Sequence, residues 1–170
     1  RWTPASGGYF VPFEDGTSLQ LWDDEAKAEA ELRRFAPQDV KGRHEMHGLM
    51  KKIVYALRPL DDTDTWLHRA PAREEIEARL GHDRDAIGLL FEWSMAELMD
   101  RYLTDPRMQM AYMGQGVVGS AASPYDPGTA SLYYHHFQGR LDDGEPGGWG
   151  YVQGGMGMVV KAEHRMMKRL

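Results

Sequence analysis

The sequence predicts a mainly helical α+β fold with a small antiparallel sheet. Apolar residues recur at steps of three and four through much of residues 25–137, which is the period of an amphipathic helix. Alternating apolar and polar residues surround the pair Asp15-Gly16, a pattern typical of a β-hairpin. With 170 residues, 42% of them hydrophobic, the chain can support a core, since a protein of this size buries about 70% of its unfolded surface.

The first predicted element is a hairpin over residues 8–22, with Asp15-Gly16 as its turn. Pro12 cannot donate a ladder hydrogen bond, so the first strand is expected at an edge or a bulge. A helix over residues 25–35 follows, and Asp23 and Asp24 are its candidate N-caps.

Further helices are expected from apolar periodicity and from capping residues. Asp105-Pro106 places an N-cap directly before a proline at the first helical position, which favours a helix start there. Gly139 is expected to stop the helix that precedes it. These expected helices span residues 37–58, 73–80, 83–93, 94–103, 107–113, 128–137 and 158–170.

Composition and charge exclude several classes of function. A net charge of −6 argues against a nucleic-acid partner, since such binders usually carry a concentrated basic face. The absence of cysteine excludes disulfides, thiolate metal sites and cysteine nucleophiles. The uncharged residues 108–125 contain few large aliphatic side chains, so they do not predict a membrane span. We expect a reducing compartment and a cytoplasmic location, with peripheral membrane contact as a further option.

Two short motifs resemble binding sites but lack the required context. Residues 114–119 match the dinucleotide pattern G-x-G-x-x-G, yet a helix precedes them and a loop follows, where the pattern needs a buried strand and then a helix. His44-Glu45-Met46-His47 is one residue shorter than the zinc-peptidase motif, so no metal site is expected. We therefore assign no metal ligand, and the residues alone identify no catalytic group.

Two adjacent histidines lie on a predicted helix. His135 and His136 cannot share one helical face, so one should point inward and the other outward. A core histidine with a hydrogen-bond partner is favoured here over a general base.

The glycine-rich segment 147–157 has two interpretations. Six of its eleven residues are glycine, and large aromatic side chains stand between them, which is not typical of a flexible linker. Glycines there either adopt positive φ or let a backbone or ligand approach closely, and the N-terminus of the following helix would favour an electron-rich partner. Spacing alone favours a strand-to-helix turn without a ligand.

A series of short motifs resembles one family in its order and spacing. The series comprises residues 127–130 (PGTA), His135-His136, Trp149-Gly150 and residues 154–157 (GGMG). In order and spacing it resembles FAD-dependent oxidoreductases of the phytoene-desaturase type, nearest the branch of pyridine nucleotide-disulfide oxidoreductase domain-containing protein 2. The resemblance covers nearly the whole chain.

The resemblance implies a fragment of a two-domain, FAD/NAD(P)-binding oxidoreductase. Residues 1–153 would form the helical substrate-binding (cap) region, and residues 154–170 would return into an FAD-binding domain that lies elsewhere in the same protein. The full-length protein would then bind FAD and dehydrogenate a lipophilic or amine-like small molecule by hydride transfer to the flavin. The family's main FAD fingerprint is absent from this sequence, so the chain alone is not expected to hold the cofactor or to be active.

The resemblance also implies site residues. The expected cofactor contacts and substrate-channel residues are, respectively, Gly154, Gly155, Met156 and Gly157, and Thr129, Tyr133, His136, Trp149 and Tyr151. The alternative, from another class, is a stand-alone, non-enzymatic helical module that binds an apolar ligand or a protein partner through a Met-rich surface.

Overall fold

A computed structural model of the protein describes residues 2–4, 8–22, 24–57, 71–139, 146–148 and 150–169. Its helices are α1 (Glu25–Phe35), α2 (Val40–Leu57), α3 (Arg73–Arg79), α4 (Arg84–Ile87), α5 (Met95–Tyr102), α6 (Pro106–Met113), α7 (Ala130–Phe137) and α8 (Gly157–Met167). Its strands are β1 (Trp2–Pro4), β2 (Tyr9–Pro12), β3 (Ser18–Leu21) and β4 (Gly150–Val152). This mainly helical architecture with short antiparallel strands confirms the predicted fold class.

The chain forms two compact units. Residues 1–31 and 139–170 make the first, here called the strand unit, and residues 32–138 make the second, the helical unit. The predicted boundary between residues 153 and 154, where the cap region would meet an FAD-binding domain, stays a prediction.

The strand unit contains two antiparallel ribbons, together with helix α8 and the first part of α1. The predicted hairpin is present as β2 and β3, and Gly16 in its turn has φ +79°. The other ribbon pairs β1 with β4, with Trp2 opposite Val152 and Pro4 opposite Gly150. The sequence did not predict this pairing because the two strands are separated by most of the chain.

The core of the helical unit is rich in methionine. Met46, Met50 and Met99 are fully buried, and so are Leu98 and Met108. Flexible methionine side chains fill irregular space between short helices of different direction. Helix α2 also approaches the end of α5 at a position where only glycine fits, since a Cβ on Gly42 would lie 1.7 Å from the carbonyl oxygen of Tyr102.

A π-helical turn interrupts the helix expected over residues 83–93. Helix α4 ends at Ile87, and residues Gly88–Glu92 form the π turn. The cause is the packing of the Trp93 indole over Gly88, where a Cβ would lie 2.4 Å from the ring. The Trp93 amide donates to the Gly88 carbonyl at 2.7 Å, which is the i→i+5 bond of a π turn. Ser94 then caps α5 through a capping box with Glu97.

Candidate functional site

The PGTA segment joins the N-termini of two helices. Gly128 has φ +84°, and its amide donates to the carbonyl oxygen of Trp93 at 3.0 Å. The Ala130 amide donates to the same oxygen at 3.2 Å. The segment that begins α7 is therefore fastened to the π turn that precedes α5.

Thr129 completes this junction with its hydroxyl group. Its Oγ1 accepts from the Met95 amide at 2.8 Å and donates to the Asp126 carbonyl at 2.8 Å. The side chain is only 4% exposed. The structure thus gives Thr129 a helix-docking role, since the hydroxyl proton and one lone pair are used inside the protein. Its place in a substrate channel stays a prediction.

Tyr133 lies in a group of aromatic and basic side chains from three helices, which we call the aromatic cluster. Its members are Arg43 and His47 of α2, Tyr112 of α6, and Tyr133 and Phe137 of α7. The Tyr133 hydroxyl lies 3.2 Å from Nε2 of His47, and the Arg43 Nε donates to the Tyr112 hydroxyl at 3.1 Å. The cluster thereby connects α2 to both α6 and α7.

Ring packing holds the polar groups of the aromatic cluster in place. The His47 ring lies 5.2 Å from the Phe137 ring and edge-on to Tyr112 at 6.4 Å. The rings of Tyr112 and Tyr133 are 5.8 Å apart. Arg43, Tyr112 and Tyr133 are buried, whereas His47 is half-buried. A histidine paired with a phenol at such an edge can exchange or relay a proton, or present a polar edge to an apolar ligand.

His136 has a different partner from His47. Its Nδ1 lies 2.9 Å from Oε1 of Gln115, in the 3₁₀ turn Gly114–Gly116 that follows α6. Burial, and then the charge of neighbouring His135, lower the pKa of His136 below its ordinary value. His135 is exposed and His136 is half-buried, which confirms the inward and outward orientation predicted for the pair.

The glycine-rich segment is a strand-to-helix turn between β4 and α8. Gly154 and Gly155 have φ values of +86° and +83°, and the Gly155 amide donates to the Val152 carbonyl at 2.8 Å. A Cβ on Gly155 or Gly157 would meet no described atom within 4 Å. Met156 is 73% exposed. Among the described residues, the space beside Gly155 and Gly157 is therefore open, whereas a Cβ on Gly154 would lie 2.9 Å from Cγ of Met158.

The predicted site residues fall into two groups. Thr129, Tyr133 and His136 belong to the helical unit, where α7 and its N-terminal junction carry them. The strand unit carries the glycine turn and Tyr151, which is 71% exposed. Trp149 lies outside the described residues.

Sequence reasoning missed four residues of the helical unit that contact predicted ones: Arg43, His47, Tyr112 and Gln115. The sequence did draw attention to His47, but only in the His44–His47 motif that was rejected as a metal site. Its partner Tyr133 is 86 residues away in the sequence, so no local pattern could pair them. Gln115 lies in the G-x-G-x-x-G pattern at residues 114–119, which was rejected as a dinucleotide site, so its side chain was not considered.

Metal-binding clusters and membrane-spanning helices are absent from the part of the chain that the structure describes. These residues contain no group of three or more His, Asp or Glu side chains that could hold a metal ion. Among the described helices, none combines the length and the apolar character needed to cross a membrane. The cytoplasmic location and the peripheral membrane contact stay predictions.

Comparison with known proteins gives similar mammalian sequences. The chain is 27% identical over 176 residues to pyridine nucleotide-disulfide oxidoreductase domain-containing protein 2 of Rattus norvegicus, covering 90% of this chain and 30% of the relative. It is 28% identical over 176 residues to the protein of the same name from Mus musculus, with the same coverage. The chain thus spans about 30% of the length of these relatives. No family model matches the sequence, and no solved structure matches it.

The similarity supports the branch that the motif series predicted. Both relatives are named for an oxidoreductase domain, so the chain resembles part of an oxidoreductase-related protein at that coarse level. The wider phytoene-desaturase grouping stays a prediction.

Proposed function

We propose that this chain is the substrate-binding portion of an FAD-dependent oxidoreductase that dehydrogenates a lipophilic or amine-like small molecule. The similarity to oxidoreductase-domain proteins supports the general class. The observation that carries the cofactor assignment is the open glycine turn, where neither Gly155 nor Gly157 would place a Cβ against any described atom. A planar ring system or another backbone can approach such a turn closely.

The chemical groups in the glycine turn are compatible with contact to the edge of a flavin ring. The turn combines an open glycine backbone with the exposed thioether of Met156, and it leads directly into the N-terminus of α8. A helix N-terminus favours an electron-rich group, and a thioether packs well against an aromatic ring. Bound FAD would supply the hydride-accepting chemistry, while residues of this chain would bind and orient the substrate.

Exposed apolar side chains on helix α8 also support the proposal that an FAD-binding domain packs against this helix. Val160 and Met167 are each 65% exposed and lie on one side of the helix together with Met156. Met166 is 68% exposed. Apolar side chains in this number on one short helix indicate a surface that another protein segment covers. We assign that role to the FAD-binding domain of the same protein.

On the substrate side, the proposal uses the aromatic cluster and His136. Aromatic rings provide an apolar lining, while the His47–Tyr133 pair and the His136 ring provide a few oriented polar groups. This combination is typical of sites for small apolar molecules. It also suits flavin chemistry, in which exclusion of water and orientation matter more than a strong acid or base.

The test compares two alanine variants of the full-length protein. Gly155 and Gly119 both have positive φ, +83° and +79°, and neither would place a Cβ within 4 Å of a described atom. Gly155→Ala and Gly119→Ala should therefore suffer similar backbone strain, roughly 1 kcal/mol. We expect purified wild-type protein to contain FAD, and Gly155→Ala alone to lower its FAD affinity at least tenfold. A flavin-free full-length protein that takes up no added FAD would refute the enzyme assignment, and equal affinity in both variants would refute the flavin contact.

A second candidate function follows from the same exposed face of α8. A non-enzymatic helical module could use Met156, Val160 and Met167 to bind an apolar ligand or a protein partner. Val160→Glu distinguishes the two. If the protein is a flavoenzyme, Val160→Glu should reduce FAD retention by the full-length protein, because the introduced charge would disrupt the packing of α8 against the FAD-binding domain. In a binding module the full-length protein would lack flavin, and the variant would lose only binding of a hydrophobic dye.

A further inference from the structure

Most of the large apolar side chains that are exposed among the described residues lie in the strand unit. Tyr9 and Phe10 on β2 are 56% and 62% exposed, and Tyr151 on β4 is 71% exposed. Helix α8 of the same unit has no buried residue. Apolar side chains exposed in this number indicate a surface that further protein covers.

The ladder between β2 and β3 determines which backbone groups of β2 face outward. The Phe13 amide donates to the Thr17 carbonyl at 2.9 Å, so these two residues form the hydrogen-bonded pair next to the turn. Hydrogen-bonded and non-hydrogen-bonded pairs alternate along an antiparallel ladder. Val11 lies opposite Leu19 and takes the next hydrogen-bonded position, so the amide and carbonyl of Phe10 point away from β3.

The two edges of this hairpin differ in what lies beside them. On the β3 side, Gln20 lies opposite Phe10, and its amide donates to Oε1 of Glu31 on α1 at 3.2 Å. On the β2 side, the sheet has no further strand among the described residues. No described residue forms a hydrogen bond with the outward backbone groups of Phe10. Helix α1 therefore covers one edge, and β2 is the open edge.

Strand β2 lacks the charged side chains that commonly keep an open edge unpaired. Exposed edge strands often carry Lys or another charge, whereas Tyr9–Pro12 has the sequence YFVP. Pro12 has no N–H, and Gly8, with φ +60°, departs from the extended conformation at the other end. These two residues limit pairing to a short stretch centred on Phe10, but they do not prevent it.

Both faces of β2 favour an apolar neighbour. Tyr9 and Val11 share the face of the fully buried Leu19, whereas Phe10 lies on the opposite face. Side chains of an adjacent strand would lie beside Tyr9 on one face and beside Phe10 on the other. The strand that fits this edge is therefore apolar at successive positions, not only at alternate ones.

We propose that the open edge of β2 accepts a third, apolar strand from the part of the same protein that lies outside these 170 residues. The chain spans about 30% of the length of its relatives, so most of such a protein is available to supply the strand. A hairpin of two strands is marginally stable in water, and a third strand allows an apolar face to be buried. The added strand bonds through its backbone to the N–H and C=O of Phe10. The proposal rests on the proposed function only in treating the chain as a portion of a longer protein.

Amide hydrogen exchange of the full-length protein, resolved to single residues by mass spectrometry, tests the pairing. The Val11 amide lies in the ladder with β3 and serves as the internal control. We expect the Phe10 amide to exchange roughly 100-fold more slowly than in an unstructured peptide, because the added strand must open first. A Phe10 amide that exchanges at the unstructured rate, while the Val11 amide is protected, would overturn the proposal.

Photo-cross-linking of the full-length protein identifies the strand. Replacing Phe10 with p-benzoylphenylalanine keeps an aromatic side chain at an exposed position, so the variant should fold. We expect an intramolecular product in which the attached residue lies outside the 170-residue segment. Attachment within that segment, or to a second copy of the protein, would overturn the assignment of the strand. Tyr125, which is 72% exposed in the loop before α7, is the matched control, and the same replacement there should not give this product.

The flavin content of the full-length protein separates this proposal from the proposed function. If the protein lacks flavin, but the Phe10 amide is protected and position 10 cross-links outside the segment, the oxidoreductase assignment fails and the added strand stands. If the protein holds FAD, but the Phe10 amide exchanges at the unstructured rate, only the added strand fails.

Discussion

The contact between α2 and α5 at Gly42 allows a quantitative prediction. A Cβ there would lie 1.7 Å from the Tyr102 carbonyl oxygen. A carbon normally approaches a carbonyl oxygen to about 3.3 Å, so Gly42→Ala would require the helices to separate by roughly 1.6 Å at this point. Overpacking costs about 1–3 kcal/mol, and a collision with backbone belongs at the upper end of that range.

The same substitution at Gly48 is the matched control. Gly48 lies on α2, is exposed and would place its Cβ in open space. Replacing a helical glycine with alanine stabilises by about 1 kcal/mol, which Gly48→Ala should show in full. At Gly42 this gain offsets only part of the overpacking cost, leaving a net loss of about 2 kcal/mol.

Urea unfolding followed by circular dichroism measures both free energies on the 170-residue chain. A difference of about 3 kcal/mol should also separate the melting temperatures by roughly 6–12 °C for a protein of this size. The reasoning would be refuted if Gly42→Ala stabilised the protein as much as Gly48→Ala does.

Two further predictions concern a buried carboxylate and a histidine. Asp39 is 1% exposed, and its carboxylate accepts hydrogen bonds from the Thr104 amide at 2.8 Å and the Asp105 amide at 3.0 Å. Asp39→Ala would leave these two buried amides without an acceptor, so it should lower the free energy of unfolding by about 2–4 kcal/mol. Urea unfolding measures this change, and an unchanged denaturation midpoint would contradict the prediction. The lowered pKa of His136 means that the unfolded ring, with its ordinary value of 6.5, binds protons first as pH falls. Its contribution to stability is therefore complete above pH 6.5 and is lost below it as pH falls through the lower folded value. Unfolding of His136→Asn should depend less on pH in this window than unfolding of the wild type, and equal slopes would exclude the effect.

Local signals made the helix boundaries of the sequence predictable. The Asp105-Pro106 pair predicted the start of α6, and the Asp105 side chain indeed accepts from the Arg107 amide. Ser94 at the predicted start of α5 caps that helix through its hydroxyl group. Capping and turn chemistry involve residues only two or three positions apart, so one sequence contains the necessary information.

Two of the features that sequence reasoning missed depend on contacts between distant residues, and the third, the π turn, depends on side-chain packing between residues five positions apart. The π turn after α4 exists because a tryptophan packs over Gly88, although propensity alone favoured a continuous helix. The β1–β4 ribbon joins residues 2–4 to residues 150–152. The His47–Tyr133 pair likewise connects α2 to α7. Such contacts are set by tertiary packing, which a single sequence does not encode in any local period.

The glycines of the helical unit and those of the glycine turn differ in what surrounds them, and therefore in what they indicate about function. At Gly42, Gly88 and Gly116, other atoms of this protein occupy the position that a Cβ would take, so these glycines are required by the packing of the fold. The PGTA segment belongs with them, because its amides and Thr129 fasten α7 to α5. Part of the motif series thus reflects helix packing and by itself gives no evidence for a cofactor. The flavin assignment depends instead on the turn at residues 154–157, where the space beside Gly155 and Gly157 is open, and that turn is where the cofactor should be tested.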